Sequence, residues 1–397
     1  MSPERKADAV FAVAIFAGVL FIAFLGPLGR RLEIVHENDF SGIWSGPRTV
    51  LLGVSPWDPA RYAPTAVAEG TKTPDALVDD YMPWVVLALL PLGLLPLEVA
   101  AWIWMLLSMT LAALALRALL RTFMPGRPLV HGALGLALFV GQPGFHAIVL
   151  GQWALILMSA LATVVLAVRA GHARRAAAAA LAFLVKPQLF VWTGLGLAIA
   201  ALVDVRYRRF VRYALVLGGA VVICAWLAYP DWFPAWLADI PPRRTGRSAV
   251  LLSALGQLFG PAGRIAAGLV IAGGIALASR FVLASDAWLA VWLALSSAGA
   301  IYSWSYDQVL LFVPLTIACG VLVAAGRERA ATRLALGGAF TLLLISPLFY
   351  VLGVIRHDET FSIAVPVAFF AAISFALWPY RRRRLVQERA AQEIQAA

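Results

Sequence analysis

Uncharged apolar runs, most of them near the length of a bilayer crossing, alternate along this chain with short charged or proline- and glycine-rich interruptions. The first run, Ala9–Gly29, has no charge and reaches the roughly 20 helical residues that a hydrocarbon core demands. No small-residue cleavage site precedes the next basic pair, so it reads as a retained first helix and not as a removed signal. A long polar stretch follows. Trp84–Leu97 is then a short apolar run closed by P-L-G-L-L-P at Pro91–Pro96, which predicts a tight turn or broken helix, with Val99–Leu116 returning outward. His131–Val168 is too long for one straight span. Its G-Q-P-G (Gly141–Gly144) and G-Q-W (Gly151–Trp153) elements predict short or broken helices that meet at polar positions, where the freed backbone must face protein or water.

Ala176–Val203 is interrupted in the same way by Lys186-Pro187-Gln188. The R-Y-R-R-F-V-R run at Arg206–Arg212 reads as a cytoplasmic loop. Beyond it come Tyr213–Tyr229, Ile265–Leu283, Trp288–Ile301, Val309–Ala325, Leu334–Ile355 and Phe361–Trp378. The pattern predicts an all-α, polytopic integral membrane protein with about twelve crossings. One membrane domain spans residues 1–380, with a large first outer loop at 30–81, a second outer segment at 230–264 and a basic cytoplasmic tail at 381–397.

Composition agrees with that pattern. The chain is 62% hydrophobic and 13% charged with a mean hydropathy of +0.84, whereas soluble domains carry about twice that charged fraction. The net charge of +11 lies at the ends of apolar runs and not in a stripe, so it reads as membrane topology and not as nucleic-acid binding. Arg5 and Lys6 place the N-terminus in the cytoplasm. In that register Arg117, Arg121 and Arg127 fall outside, against the charge bias. Cys224 and Cys319 sit inside apolar runs and indicate neither a disulfide framework nor a thiolate metal site.

Candidate chemistry concentrates in the first loop, which holds Glu33, Glu37, Asp39, Asp58, Glu69, Asp75, Asp79 and Asp80. Asp39 precedes Phe40-Ser41-Gly42-Ile43-Trp44 and reads either as the N-cap of a loop helix or as a general base beside aromatic surface. Asp58 reads as a cap or turn residue. Asp307 opens a span and is either an outer cap or a residue facing a polar cavity. Lys186, an ammonium within an apolar helix, needs a partner or an anionic ligand unless it snorkels to the surface. Arg243, Arg244 and Arg247 form a fork-bearing cluster suited to a phosphate group, or a basic loop touching anionic lipid. His36, His146 and His357 lack zinc spacing, so no metal is expected. No nucleotide-binding glycine motif occurs. An activated substrate must then arrive on a membrane-borne carrier, with no separate cofactor.

The ordered motifs D-F-x-x-x-W (Asp39–Trp44), L-L-G-V-S-P-W-D-P (Leu51–Pro59), Y-M-P (Tyr81–Pro83), P-L-G-L-L-P, G-Q-W, K-P-Q and W-S-Y-D-Q-V-L-L (Trp304–Leu311) resemble glycosyltransferase family 87, and the resemblance covers nearly the whole chain. It implies a GT-C fold and a polyprenol-phosphate-mannose-dependent alpha-(1,2)-mannosyltransferase-like activity. The substrates would be a polyprenyl-phosphate sugar and a glycolipid or glycan acceptor, met on the outer face of the cell membrane. Asp39 takes the place of the family's catalytic base. Trp44, Tyr81, Gln152, Tyr302, Tyr306 and Asp307 fall at site-lining positions, and Lys186 with Arg243, Arg244 and Arg247 at the donor phosphate. Two departures stand out: Met82 within Y-M-P, and Tyr302 where the family often has histidine. A transferase for arabinose or another polyprenyl-phosphate sugar, a transporter of lipid-linked substrates, and a non-enzymatic scaffold remain as alternatives.

Overall fold

The computed structural model describes residues 1–25, 36, 38–72, 82–230, 232–234 and 248–381. These residues form helices throughout, and their only extended pairing is an isolated backbone bridge between Phe281 and Arg381. Eight helical segments are long and apolar enough to cross a membrane: Pro3–Phe24, Leu97–Phe123, Pro128–Leu150, Val205–Ala228, Leu251–Ala278, Ser305–Ala324, Glu328–Arg356 and Thr360–Tyr380. Ala154–Arg169, Val191–Val203 and Asp286–Ala298 are apolar but shorter. The chain is therefore an all-α polytopic membrane protein, with eight helices of spanning length and three shorter apolar ones among the described residues, against the expected count of about twelve crossings.

Burial sorts these helices. Ala154–Arg169, Asp286–Ala298 and Phe312–Ala324 are almost wholly enclosed and form the centre. Val205–Ala228 turns Leu215, Val216, Ile223 and Leu227 outward, a cost in water and none in lipid. Close approaches tighten the centre. A Cβ on Gly320 would stand 2.5 Å from the Phe123 ring, so the Phe312–Ala324 and Leu97–Phe123 helices meet at van der Waals contact.

Charge pairs fix which helix ends lie together. Asp8, near the start of the first helix, accepts from Arg117 Nε at 3.2 Å and from Arg121. Arg127 pairs with Glu328 at 3.2 Å, and Arg169 with Asp286. Leu97–Phe123 must therefore end at the level where the first helix begins. This corrects the sequence reading, which sent Arg117, Arg121 and Arg127 to the opposite side. The reason lies in the preceding run: Trp84–Leu97 does not cross, but folds into two short helices, Pro83–Ala88 and Leu90–Gly93. Leu90–Gly93 packs so tightly on the loop helix Asp39–Leu51 that a Cβ on Gly93 would lie 2.9 Å from Arg48 N.

Three further expectations change. The first loop is not a simple aqueous excursion, since every residue from Phe40 to Pro47 is buried; Ser41 and Ser45 satisfy their hydroxyls on carbonyls one turn back. The Arg206–Arg212 run is the opening of the helix Val205–Ala228 and not a loop. Asp204 caps it by accepting from Arg206 N at 2.8 Å, while Tyr207 and Phe210 bury one face and leave the arginines largely outside. The second outer segment gives way to helix at Leu251 instead of continuing to 264, and that helix kinks at Gly260, before Pro261.

The expected breaks do occur. Pro128–Val140 and Gln142–Leu150 meet at an extended Gly141, and Leu181–Val185 and Pro187–Leu189 are 3-10 turns on either side of Lys186. Gly151 ends Gln142–Leu150 at φ +68°, where a Cβ would stand 2.5 Å from that of Phe40. We expect Gly151→Val to combine left-handed strain with this clash and to cost about 1–3 kcal/mol or more, read as a lower unfolding temperature in detergent.

Candidate active site

At the bundle end opposite the Asp8–Arg121 pair, four turns of chain converge. The first is the start of Asp39–Leu51. Asn38 caps it, accepting from Ser41 N at 3.3 Å and donating to the Val149 carbonyl at 3.1 Å, which locks the loop helix to the Gly151 turn. Asp39 is thus the first helical residue and not the cap, a position where the helix dipole favours an acid. Asp58 does occupy a cap position, before Pro59–Ala68, but its side chain makes no capping bond.

The second turn is Gly151–Trp153. Trp104 donates to the Gly151 carbonyl at 2.7 Å and stacks edge-on against Trp153, so the turn rests on an aromatic floor. From it Gln152 Nε2 donates to the Asp39 carboxylate. This fixes the amide's orientation, because the flipped form would set oxygen against oxygen. It also leaves Gln152 Oε1 buried with no hydrogen-bond partner among the described residues. An unused buried acceptor beside a carboxylate is what a hydroxyl-bearing ligand would fill.

Lys186 and Asp307 come from the third and fourth turns. The ammonium lies 3.1 Å from Asp307 Oδ1 and 4.6 Å from the centre of the Tyr306 ring. Asp307 Oδ2 accepts from Trp304 N at 3.1 Å, and Trp304 in turn donates its indole N–H to the Tyr302 hydroxyl at 2.8 Å. Lys186 is only 8% exposed, so it does not snorkel; its partner is the carboxylate that the sequence reading treated separately.

Sequence reasoning missed Glu359, which lies between the last two spans. Its Oε2 accepts from Ser305 N at 2.8 Å. Burial raises its pKa above the usual carboxylate range, hydrogen bonds from Ser305 oppose the rise, and the carboxylates of Asp307 and Asp39 add to it. Asp39, Asp307 and Glu359 therefore share one electrostatic environment, in which Lys186 pairs directly with Asp307. The neighbouring Asp358 goes the other way. Burial would raise it, but bonds from the Thr360 hydroxyl and N–H and from Gln257 outweigh burial and hold it low.

His146, set aside above only as a zinc ligand, also belongs here. Its ring lies 3.4 Å from both Ser305 Oγ and the Tyr350 hydroxyl, and meets Tyr306 edge-on. Gln142 donates to Ser305 Oγ at 2.9 Å and accepts from Ser346 at 2.8 Å. The visible signal was spacing: Gln142 with His146, and Ser346 with Tyr350, are four residues apart and share helix faces inside apolar runs.

Of the remaining expected residues, Trp44 turns into the core, 2% exposed, with its indole bonded to the Leu95 carbonyl at 3.0 Å. Tyr81, Arg243, Arg244 and Arg247 lie outside the described residues, as do Asp75, Asp79 and Asp80. His36 is held between Glu98 and the Gly70 carbonyl, and His357 ends a helix in the left-handed region. Among the described residues no group of three or more histidine, cysteine or acidic side chains is placed to hold a metal ion. No protein-family model matches the chain, and it matches neither a curated protein nor a solved structure.

Two outcomes follow. Lys186→Met or Asp307→Asn alone is expected to cost about 3–5 kcal/mol by stranding a buried charge, and the double variant less than the sum of the singles, read as unfolding temperatures across the cycle. A raised folded-state pKa makes the Glu359 contribution to stability complete below the usual carboxylate range and lost as pH rises through the raised value. Glu359→Gln, which keeps an acceptor for Ser305 N, should then gain stability relative to wild type on going from about pH 4 to about pH 8.

Proposed function

We propose that the protein is a membrane glycosyltransferase of GT-C type, similar to glycosyltransferase family 87. It transfers a hexose, mannose by that resemblance, from a polyprenyl-phosphate donor to a lipid- or glycan-linked acceptor, with inversion. The observation that carries this reading is the Asp39–Gln152 pair. It offers a carboxylate able to take a proton and, beside it, a buried acceptor atom awaiting a hydroxyl.

In this mechanism the reacting hydroxyl of the acceptor donates to Asp39, and a neighbouring hydroxyl of the same acceptor donates to Gln152 Oε1, which orients it. The reacting oxygen attacks the anomeric carbon from the face opposite the phosphate, and its proton passes to Asp39. The bond from carbon to phosphate oxygen breaks with its electron pair on the phosphate, which leaves already anionic and needs little protonation. A beta-linked donor gives an alpha product. Lys186, held by Asp307, together with Arg243, Arg244 and Arg247, stabilises the departing polyprenyl phosphate. The carrier's tail stays in lipid, which spares the cost of drawing it into water.

Charge bias supports placing the site on the extracytoplasmic face of the cell membrane. Arg117, Arg121 and Arg127 join the N-terminus at the opposite end through Asp8 and Glu328, and so become cytoplasmic together with Arg327, Arg329 and Arg333. We take the chain to cross twelve times: eight long spans, three shorter apolar helices, and the limb Ala173–Leu189 that rises to Lys186 and its partner.

Membranes with wild type or Asp39→Asn at matched abundance, given radiolabelled polyprenyl-phosphate mannose and an envelope-lipid acceptor fraction, test this. Wild type should form a labelled glycolipid, and the amide variant should be slower by about 10²–10⁴-fold. Equal rates would remove Asp39 as base. Absence of product with both mannose and arabinose donors would overturn the transferase reading and leave transport of a lipid-linked substrate.

A further inference from the structure

At the N-terminal end of the bundle, far from the acidic site, a cavity of about 840 Å³ opens between the ends of Leu251–Ala278 and the terminal span. Its lining combines three kinds of surface: apolar helix at Gly273, Ala276 and Leu277, the hydroxyl-bearing Ser279, and a basic and aromatic rim of Arg280, Trp378 and Arg381. A Cβ on Gly273 would meet nothing within 4 Å, so the floor is open to an occupant. The Phe281–Arg381 backbone bridge ties the two walls together and fixes their separation.

The rim is electropositive. Among the described residues no carboxylate pairs with Arg280 or Arg381. Other basic side chains at this end, Arg117, Arg121, Arg127 and Arg169, are each matched to an acid. Arg381 lies over the Trp378 ring at 4.5 Å and gives one N–H to the Trp378 carbonyl at 3.1 Å, which leaves the rest of its fork open. Trp378 is 39% exposed at the end of a membrane span, where tryptophan marks the headgroup level. Apolar floor below, guanidinium groups at headgroup depth and an aromatic ring between them match one ligand chemistry: a phosphate on acyl chains.

We propose that this groove is a binding site for an anionic phospholipid of the leaflet at the N-terminal end of the bundle, with its phosphate between Arg280 and Arg381 and an acyl chain along Gly273, Ala276 and Leu277. The site is independent of the transferase reading. The adjoining segment Arg382–Arg384 extends the same positive charge in sequence, whereas Glu388 and Glu393 make the C-terminal segment the competing occupant.

The test titrates purified full-length protein in detergent with phosphatidylglycerol or phosphatidylcholine and counts bound lipid by native mass spectrometry. At about a factor of five per arginine near the surface, Arg280→Gln with Arg381→Gln should weaken phosphatidylglycerol binding by roughly thirtyfold and leave phosphatidylcholine unchanged. Arg280→Lys with Arg381→Lys, which keeps both charges, should retain most of the affinity and shows that the loss is not misfolding. Inorganic phosphate should not displace the lipid, which separates a lipid site from a free-phosphate site. Undiminished phosphatidylglycerol binding in the glutamine variant, equal binding of both lipids, or displacement by inorganic phosphate would overturn the proposal. So would phosphatidylglycerol binding that emerges only after the chain is cut following Arg381, since the tail would then be the native occupant.

Discussion

An ammonium group shut away from water governs the arrangement of the acidic end. Lys186 enters an apolar interior at the break between two 3-10 turns, and its charge is tolerable there only if an anion meets it. Asp307 supplies that anion from a turn 121 residues later, and the Tyr306 ring covers the open side of the ammonium. This pair ties the 302–311 turn to the break at Lys186. Ser305 then faces Glu359, Gln142 and His146, and Trp304 carries Tyr302. The polar network is a consequence of where one positive charge had to be matched.

Irregular backbone is the other resource this end uses. A regular helix satisfies its own N–H and C=O groups and offers little to a ligand. The extended Gly141, the left-handed Gly151 and the 3-10 turns about Lys186 and Ser305 free polar groups at one depth. Of these, the Gly151 turn packs directly on the buried loop helix Asp39–Leu51, through Phe40 and the bond from Asn38 to the Val149 carbonyl.

Much of this was legible in the residues. Lys186 and Asp307 are conspicuous as charges in or beside apolar runs, and Asp39 as one acid of the polar first loop, whereas Gln152 and Tyr306 stood out only through the family resemblance; the helix breaks were visible because glycine and proline act locally. Pairings were not legible, since nothing near Lys186 in sequence points to Asp307. Glu359 was hidden by its surroundings: in R-H-D-E-T a glutamate reads as solvated, and only the packing of Ser305 against it reveals burial. The side assigned to Arg117 and Arg121 went astray because Trp84–Leu97 was counted as a crossing, in spite of the charge bias of those arginines; the contact with Asp8 restores them to the N-terminal end. Arg206–Arg212 was mistaken for loop because its charges outnumber the two aromatic residues, Tyr207 and Phe210, that anchor it as helix.

The Asp8 contact also bears on how the protein is made. Asp8 leaves the ribosome within the first helix, but its guanidinium partners follow 109 and 113 residues later. During that interval Asp8 is without the guanidinium partners it holds in the folded chain, and chains are synthesised at only about 5–20 residues per second. The helix Pro3–Leu25 is therefore made several seconds before Leu97–Phe123 arrives to pair with its acid.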